Sequence, residues 1–241
     1  MMKKEKINGI ITALADLYPN PVCALIYNKP HELLIAARLS AQCTDKRVNL
    51  VTPALFGRYP EIKDFAAADV SEVEEYVKSC GLYKTKAKEI VKACEMLEVN
   101  YGGRIPDEMN ELLKLPGIGR KTANLLIGTL YGKPAIVVDT HVIRISNRLG
   151  IVGDELFLKA SASSSPLNGS PTAHTSKRSG GITPAGTANP VKIENALRKL
   201  LPEAESLNFC HRLVFLGREV CKAKKPNCKN CVLKNLCPKI Y

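Results

Sequence analysis

The chain has 241 residues, 45% of them hydrophobic, enough for one large domain or two smaller ones with real cores. Lys and Arg outnumber Asp and Glu by 35 to 23, and the net charge of +12 favours a polyanionic partner, most often nucleic acid. No apolar run is long enough to span a bilayer, and an odd count of nine cysteines argues against a disulfide framework and for a metal site with bystanders.

The N-terminus, Met1 to Glu5, is basic, but Ile7–Leu17 is amphipathic and broken by Asn8, Gly9 and Asp16. It makes a poor signal peptide, so the expected location is the cytoplasm. His31–Ala41 reads as an apolar helix. Ser71 with Glu74 forms a capping box, and Gly81 stops the helix that follows it. In 87–97, Ala87, Ile90, Val91, Cys94 and Leu97 fall on one helical face.

The most informative stretch is Leu115–Leu126, Leu-Pro-Gly-Ile-Gly-Arg-Lys-Thr-Ala-Asn-Leu-Leu. An apolar helical run from Met109 to Leu115 meets a Pro-Gly-x-Gly turn, and a second helix follows at once. Gly117 and Gly119 permit backbone angles that other residues avoid and let the main chain approach another molecule. The amides opening the second helix have no partners within it, and the helix dipole favours an anion there. Such a turn grips a phosphate backbone without reading bases. Lys121 lies in the first turn of the second helix, within reach of what the turn holds.

Downstream, Ile136-Val137-Val138 is a short β-branched run that permits a strand. Asp139 follows it and opens a helix carrying Val142, Ile145 and Leu149. Taken alone, Asp139 is an N-cap and Lys121 a solvated charge. Together they offer a lysine nucleophile able to form a Schiff base, and a carboxylate able to stabilise positive charge and assist proton transfer.

Residues 160–190 hold seven serines, four prolines and four glycines, with only Leu167 and Ile182 as large aliphatics. The segment buries too little to offset its ordering entropy and reads as a low-complexity, disordered insertion over 155–190. Helical pattern resumes at Val191 with Ile193, Ala196, Leu197 and Leu200. Nothing alternates convincingly at period two, so the expected class is all-α.

From Cys210 to Tyr241 the chain carries eight Lys and Arg against one acid, Glu219. This tail contains Cys221-x6-Cys228-x2-Cys231-x5-Cys237. Four thiolates in so short a span suit zinc or a [4Fe–4S] cluster. Only one pair is as close as zinc ribbons require of both, so the spacing leans to iron–sulfur while zinc stays open. Lys222, Lys224 and Lys225 on this loop are either phosphate contacts or a solvated face. Cys23, Cys43, Cys80, Cys94 and Cys210 lie in or beside apolar helical stretches and read as core packing.

The Leu115–Leu126 stretch, the Val137–Asp139–His141 segment and the four-cysteine loop, in this order, resemble the endonuclease III family of DNA repair glycosylases, from about Ile7 to Pro238. The resemblance implies the helix-hairpin-helix glycosylase fold. A six-helix barrel domain over 23–133 would carry the hairpin. A cluster domain of 1–22 and 134–241 would hold a [4Fe–4S] cluster on Cys221, Cys228, Cys231 and Cys237, with a cleft between the two. It implies Lys121 as the Schiff-base lysine, Asp139 as the catalytic aspartate, and Gly117, Gly119 and Arg120 in the phosphate-binding turn. Gln42, in Leu39–Asp45, matches the glutamine that fills the hole left by an extruded base. Leu82, in Gly81-Leu82-Tyr83, matches the apolar wedge against the opposite strand.

The implied activity is a bifunctional one: N-glycosylase removal of damaged pyrimidines and AP lyase cleavage 3′ to the abasic site. Its partner is double-stranded DNA carrying damaged pyrimidines or abasic sites, engaged by a monomer in the cytoplasm, nucleoid-associated when bound. Lys121 argues against the adenine-removing relative, which lacks that lysine. The alternative is a non-catalytic DNA-binding iron–sulfur protein on the same scaffold, its activity blocked by the 155–190 insertion.

Overall fold

The structure is a computed structural model that describes residues 3–153 and 189–238. Among these residues the regular elements are helical: α1 (Lys3–Leu17), α2 (Pro30–Leu39), α3 (Asp45–Arg58), α4 (Ile62–Ala66), α5 (Val70–Val77), α6 (Tyr83–Tyr101), α7 (Met109–Leu112), α8 (Arg120–Tyr131), α9 (Thr140–Arg148), α10 (Pro190–Leu200) and α11 (Ser206–Glu219), with short 3-10 turns at Glu203–Glu205 and Cys228–Asn230. The all-α expectation holds. Val137 and Val138 are buried and lie in no regular element. The 155–190 insertion falls almost wholly outside them. No described helix is long and apolar enough to cross a membrane.

The capping box at Ser71 is corrected. Helix α5 starts at Val70, and Asp69 is its N-cap, accepting from the Ser71 amide at 2.8 Å. The Ser71 hydroxyl itself donates to Asp69 at 2.8 Å, so it is committed as a donor to the true cap.

The chain divides into two compact units. One comprises Pro21–Val137 and Glu203–His211. Within it α6 packs on α4 and α5, and α2 packs on α3, α6 and α8. The apolar faces read from the sequence are buried: Leu33 to Ala37 and Leu39 on α2, and Ala87, Ile90, Val91, Cys94 and Leu97 on α6. Phe65 is fully buried, with the Tyr59 ring centroid 5.1 Å from its own. Burial of this kind contributes about 1.5–3 kcal/mol per large side chain.

The other unit comprises Met1–Asn20, Val138–Pro202 and Arg212–Tyr241. Ile7, Ile10 and Leu14 form the buried stripe of α1, and Val142, Ile145 and Leu149 that of α9. Polar contacts tie α1 to distant segments. Lys6 Nζ donates to the Leu149 carbonyl at 2.6 Å, Tyr18 donates to Glu219 at 2.8 Å, and buried Arg212 donates to the Tyr18 carbonyl at 3.1 Å. A Cβ on Gly9 would lie 3.3 Å from Leu236 Cδ1, so α1 runs close against the cysteine loop just before Cys237.

The turn between α7 and α8 is held from beneath. Gly117 has φ +74°, and a Cβ there would strike Arg38 Nε and the Glu89 Oε2 that Arg38 pairs with. Gly117 is therefore required twice, for its dihedral and for its missing side chain. Gly119 differs: it is the N-cap of α8 at φ −94°, with open space where a Cβ would go. Gly117→Ala should cost on the order of 2–4 kcal/mol, from left-handed strain plus the clash. Gly119→Ala should cost about 1 kcal/mol or less. Thermal unfolding of the two variants checks this, and equal losses would contradict the seating of the turn on the ion pair.

Candidate active site and nucleic-acid interface

In the hairpin unit, α8 begins at Arg120, directly after its N-cap Gly119, which has no side chain to cap the opening amides. A helix that starts this way can turn those amides toward an anion. Lys121 lies in that first turn and is exposed, while the next turn, Ala123 to Gly128, is buried. Arg120 is half-buried, and its carbonyl accepts from buried Asn124 at 3.2 Å. The lysine is thus an outward-facing amine on a helix fixed by its apolar face.

The Gln42 and Leu82 turns come together in the same unit. Both residues are exposed, and both have left-handed backbones, φ 54° and 57°. Such dihedrals are uncommon for residues with long side chains and cluster at functional positions. Leu82 is 58% exposed, which leaves a large apolar side chain in solvent. A Cβ on Gly81 would lie 3.9 Å from the Gln42 carbonyl oxygen.

Lys86 explains how these turns are held, and the sequence reading missed it. Its side chain is fully buried, and Nζ donates to the Leu39 carbonyl at 2.8 Å and the Cys80 carbonyl at 2.9 Å. One ammonium therefore joins the end of α2, before Gln42, to the loop before Leu82. Burial lowers its pKa, an effect the neighbouring Cys43 and Cys80 thiols partly oppose. Adjacent Arg38 reaches Glu89, one turn along α6. The available signal was positional: Lys86 lies four residues before Ile90, on the apolar stripe of α6.

In the other unit, Asp139 is the N-cap of α9, its Oδ1 accepting from the Val142 amide at 2.8 Å. This fixes the carboxylate's rotamer. The far end of α9 grips the cysteine loop. Arg144 Nη2 donates to the Cys221 carbonyl at 3.0 Å. Arg148 donates to the Lys222 carbonyl at 2.8 Å, the Ala223 carbonyl at 2.9 Å and Cys221 Sγ at 3.4 Å. The Cys237 thiol donates to the Arg148 carbonyl at 3.3 Å. His141 lies against Gly217, where no Cβ would fit, and is 3.1 Å from Arg144 Nη2.

Cys221, Cys228, Cys231 and Cys237 line one cavity, walled by Ile145, Leu149, Leu216 and Val220. Burial raises the Cys231 pKa, and the three other cysteines add to the effect. Among the described residues, no three His, Cys, Asp or Glu side chains gather closely enough to hold a single metal ion. The donor set around this cavity is all sulfur and spread along an apolar wall, which fits a multi-iron cluster. Lys222, Lys224 and Lys225 are exposed on the same loop.

Residues 35–161 match the HhH-GPD superfamily of base excision DNA repair proteins. Endonuclease III of Synechocystis sp. is 40% identical, covering 98% of this chain and 93% of its own. That of Bacillus subtilis is 37% identical, covering 98% and 94%. That of Escherichia coli K12 is 35% identical, covering 98% and 96%. Among solved structures, a non-covalent endonuclease III–DNA complex and a trapped endonuclease III–DNA covalent intermediate each superpose with a TM-score of 0.81 at 38% identity, covering 99% of this chain and 97% of theirs. With its hairpin turn, its capped aspartate and its four-cysteine loop, the chain belongs to the endonuclease III family within the HhH-GPD superfamily of base excision DNA repair proteins.

Proposed function

We propose that Lys121 and Asp139 carry the chemistry of this DNA glycosylase and AP lyase, and that its substrate is duplex DNA containing damaged pyrimidines or abasic sites. The observation that carries the assignment is the placement of Lys121: an exposed amine in the first turn of a helix that starts directly after a glycine N-cap. A related endonuclease III trapped as a covalent intermediate with DNA supports a covalent route.

The protein holds the duplex by backbone phosphates at Gly117, Gly119 and Arg120 and along Lys222, Lys224 and Lys225. Such contacts position the duplex without reading sequence. The damaged nucleotide is extruded, at a cost of a few kcal/mol, with Leu82 wedging the stack and Gln42 bonding to the orphaned base. Lys121 Nζ attacks C1′ of the deoxyribose, the C1′–N bond breaks, and the base leaves with the bonding pair and a proton. Asp139 stabilises the positive charge developing on the sugar and assists proton transfer. The sugar ring then opens as the C1′–O4′ bond breaks, O4′ takes up a proton, and the resulting imine acidifies the C2′ proton. Its removal drives β-elimination, which breaks the C3′–O bond and frees the 5′-phosphate of the next nucleotide. Hydrolysis of the imine releases Lys121.

Lys121→Gln should abolish strand cleavage of an abasic duplex while duplex affinity is retained. Asp139→Asn should keep the N-cap, since asparagine caps as well as aspartate, yet slow cleavage by about 10²–10⁴-fold. Denaturing gels and equilibrium binding on one abasic duplex read both effects. Cleavage by the Lys121 variant at the wild-type rate would overturn the assignment. Binding without cleavage by the wild type would mark a non-catalytic scaffold instead.

Cys221, Cys228, Cys231 and Cys237 would hold a [4Fe–4S] cluster. The cluster supplies no bond-making step. It fixes the loop bearing Lys222, Lys224 and Lys225, which Arg144 and Arg148 fasten to α9. The purified protein should be brown, with iron and acid-labile sulfide in equal amounts, and Cys228→Ala should lose both. A colourless protein containing zinc would contradict this assignment while leaving that of Lys121 untouched.

A further inference from the structure

The Gln42 and Leu82 turns each carry a cysteine that the repair chemistry does not use. Cys43 follows Gln42 directly, and Cys80 precedes Gly81 and Leu82. Each is set by a tight turn: the Cys43 amide donates to the Ser40 carbonyl at 3.1 Å and the Cys80 amide to the Val77 carbonyl at 2.8 Å. Lys86 pulls the two segments together by donating to the Leu39 and Cys80 carbonyls. In this clamp the two cysteine-bearing turns touch, a Cβ on Gly81 lying 3.9 Å from the Gln42 carbonyl oxygen, and Cys43 is near enough to raise the pKa of the Cys80 thiol. The sequence reading placed both in the core. Cys80 is fully buried, but Cys43 is only half-buried, so the pair has one face toward solvent.

We propose that Cys43 and Cys80 form a reversible disulfide in response to hydrogen peroxide, an oxidation site separate from the four cluster cysteines, and that this bond ties the Gln42 turn to the Leu82 turn. Peroxide meets Cys43 first, because Cys80 is fully buried and Cys43 is not. A sulfur–oxygen bond forms, the O–O bond breaks, and one water leaves a sulfenic acid. The Cys80 sulfur then attacks the Cys43 sulfur, the S–O bond breaks, and a second water departs. Two thiols have lost two electrons and two protons, and one peroxide has become two waters. Burial and the Cys43 contact push the Cys80 thiol up to about 11, which keeps it protonated at rest. The nearby Lys86 and Arg47 charges favour the thiolate through which it must pass. The bond is reversible by exchange with small thiols.

The consequence for DNA rests on the roles given above to Gln42 and Leu82. One fills the stack and the other wedges it, and the Lys86 clamp sets the spacing at which they do so. A disulfide imposes its own separation on the two Cα atoms, about 4.4–6.8 Å, in place of the one the lysine sets. Oxidation therefore weakens engagement of an abasic duplex, and reduction restores it.

The test uses the cluster-loaded protein, titrated with hydrogen peroxide, alkylated without reductant, digested and mapped by mass spectrometry. The expected product links the Cys43 and Cys80 peptides with the loss of two hydrogens, and dithiothreitol undoes it. In parallel, affinity for a duplex with a reduced abasic-site analogue falls on oxidation and returns on reduction. Cys43→Ala keeps the reduced-state affinity and loses the peroxide response. Should that variant fold poorly, the peptide map of the wild type decides the matter alone. Oxidation of Cys43 to sulfinic acid with no cross-link overturns the thiol pair. A cross-link that leaves duplex affinity unchanged overturns its coupling to DNA. Failure of the reduced wild type to bind the duplex strikes instead at the roles of Gln42 and Leu82, and the peptide map still judges the disulfide.

Discussion

The last turn of α2 is fastened to the first two turns of α6 through two adjacent residues, and every candidate DNA-contacting turn of the hairpin unit hangs on that junction. Arg38 pairs with Glu89, and the Gly117 turn rests on the pair so closely that no Cβ can intervene. Leu39 offers its carbonyl to Lys86, whose ammonium also holds the Cys80 carbonyl beside Leu82. A buried ammonium costs several kcal/mol unless its protons are bonded. Here those bonds go to backbone carbonyls of the loops that must be positioned. The cost of burial is thereby turned into a fixed geometry for two exposed side chains in left-handed conformations.

Helix α9 performs an analogous task in the other unit. Its first residue is preceded by Asp139, held through the Val142 amide; from its middle Arg144 bonds the Cys221 carbonyl, and from its last turn Arg148 bonds those of Lys222 and Ala223. The carboxylate proposed to act on the sugar and the basic loop are therefore both set by one short helix. Truncating either arginine would leave loop carbonyls without their charged donors. This gives the cysteine loop a structural role that needs no redox step.

What could be read from the sequence depended on whether the signal was local. The Pro-Gly-x-Gly turn, the apolar stripes of α2 and α6, and the four-cysteine loop are written in adjacent or periodically spaced residues, and they appear where expected. Asp139 was legible as a cap, and the cap is there. The cap at Ser71 misled because its pattern of Ser followed by Glu is satisfied equally well by a serine that serves a stronger cap two residues earlier. Lys86, the Arg38–Glu89 pair and the Cys43–Cys80 contact were not legible. Each joins segments tens of residues apart, and a lysine in an apolar stripe has no local feature to announce that distant carbonyls await it.

The proposed chemistry requires the hairpin to present one particular amine to the sugar. Borohydride reduction of the enzyme on an abasic duplex, followed by proteolysis and mass spectrometry of the cross-linked peptide, tests it at the level of the bond. The adduct is predicted on Nζ of Lys121. An adduct on Lys114, Lys133 or the N-terminal amine, or no adduct from a protein that nonetheless cleaves, would contradict the account.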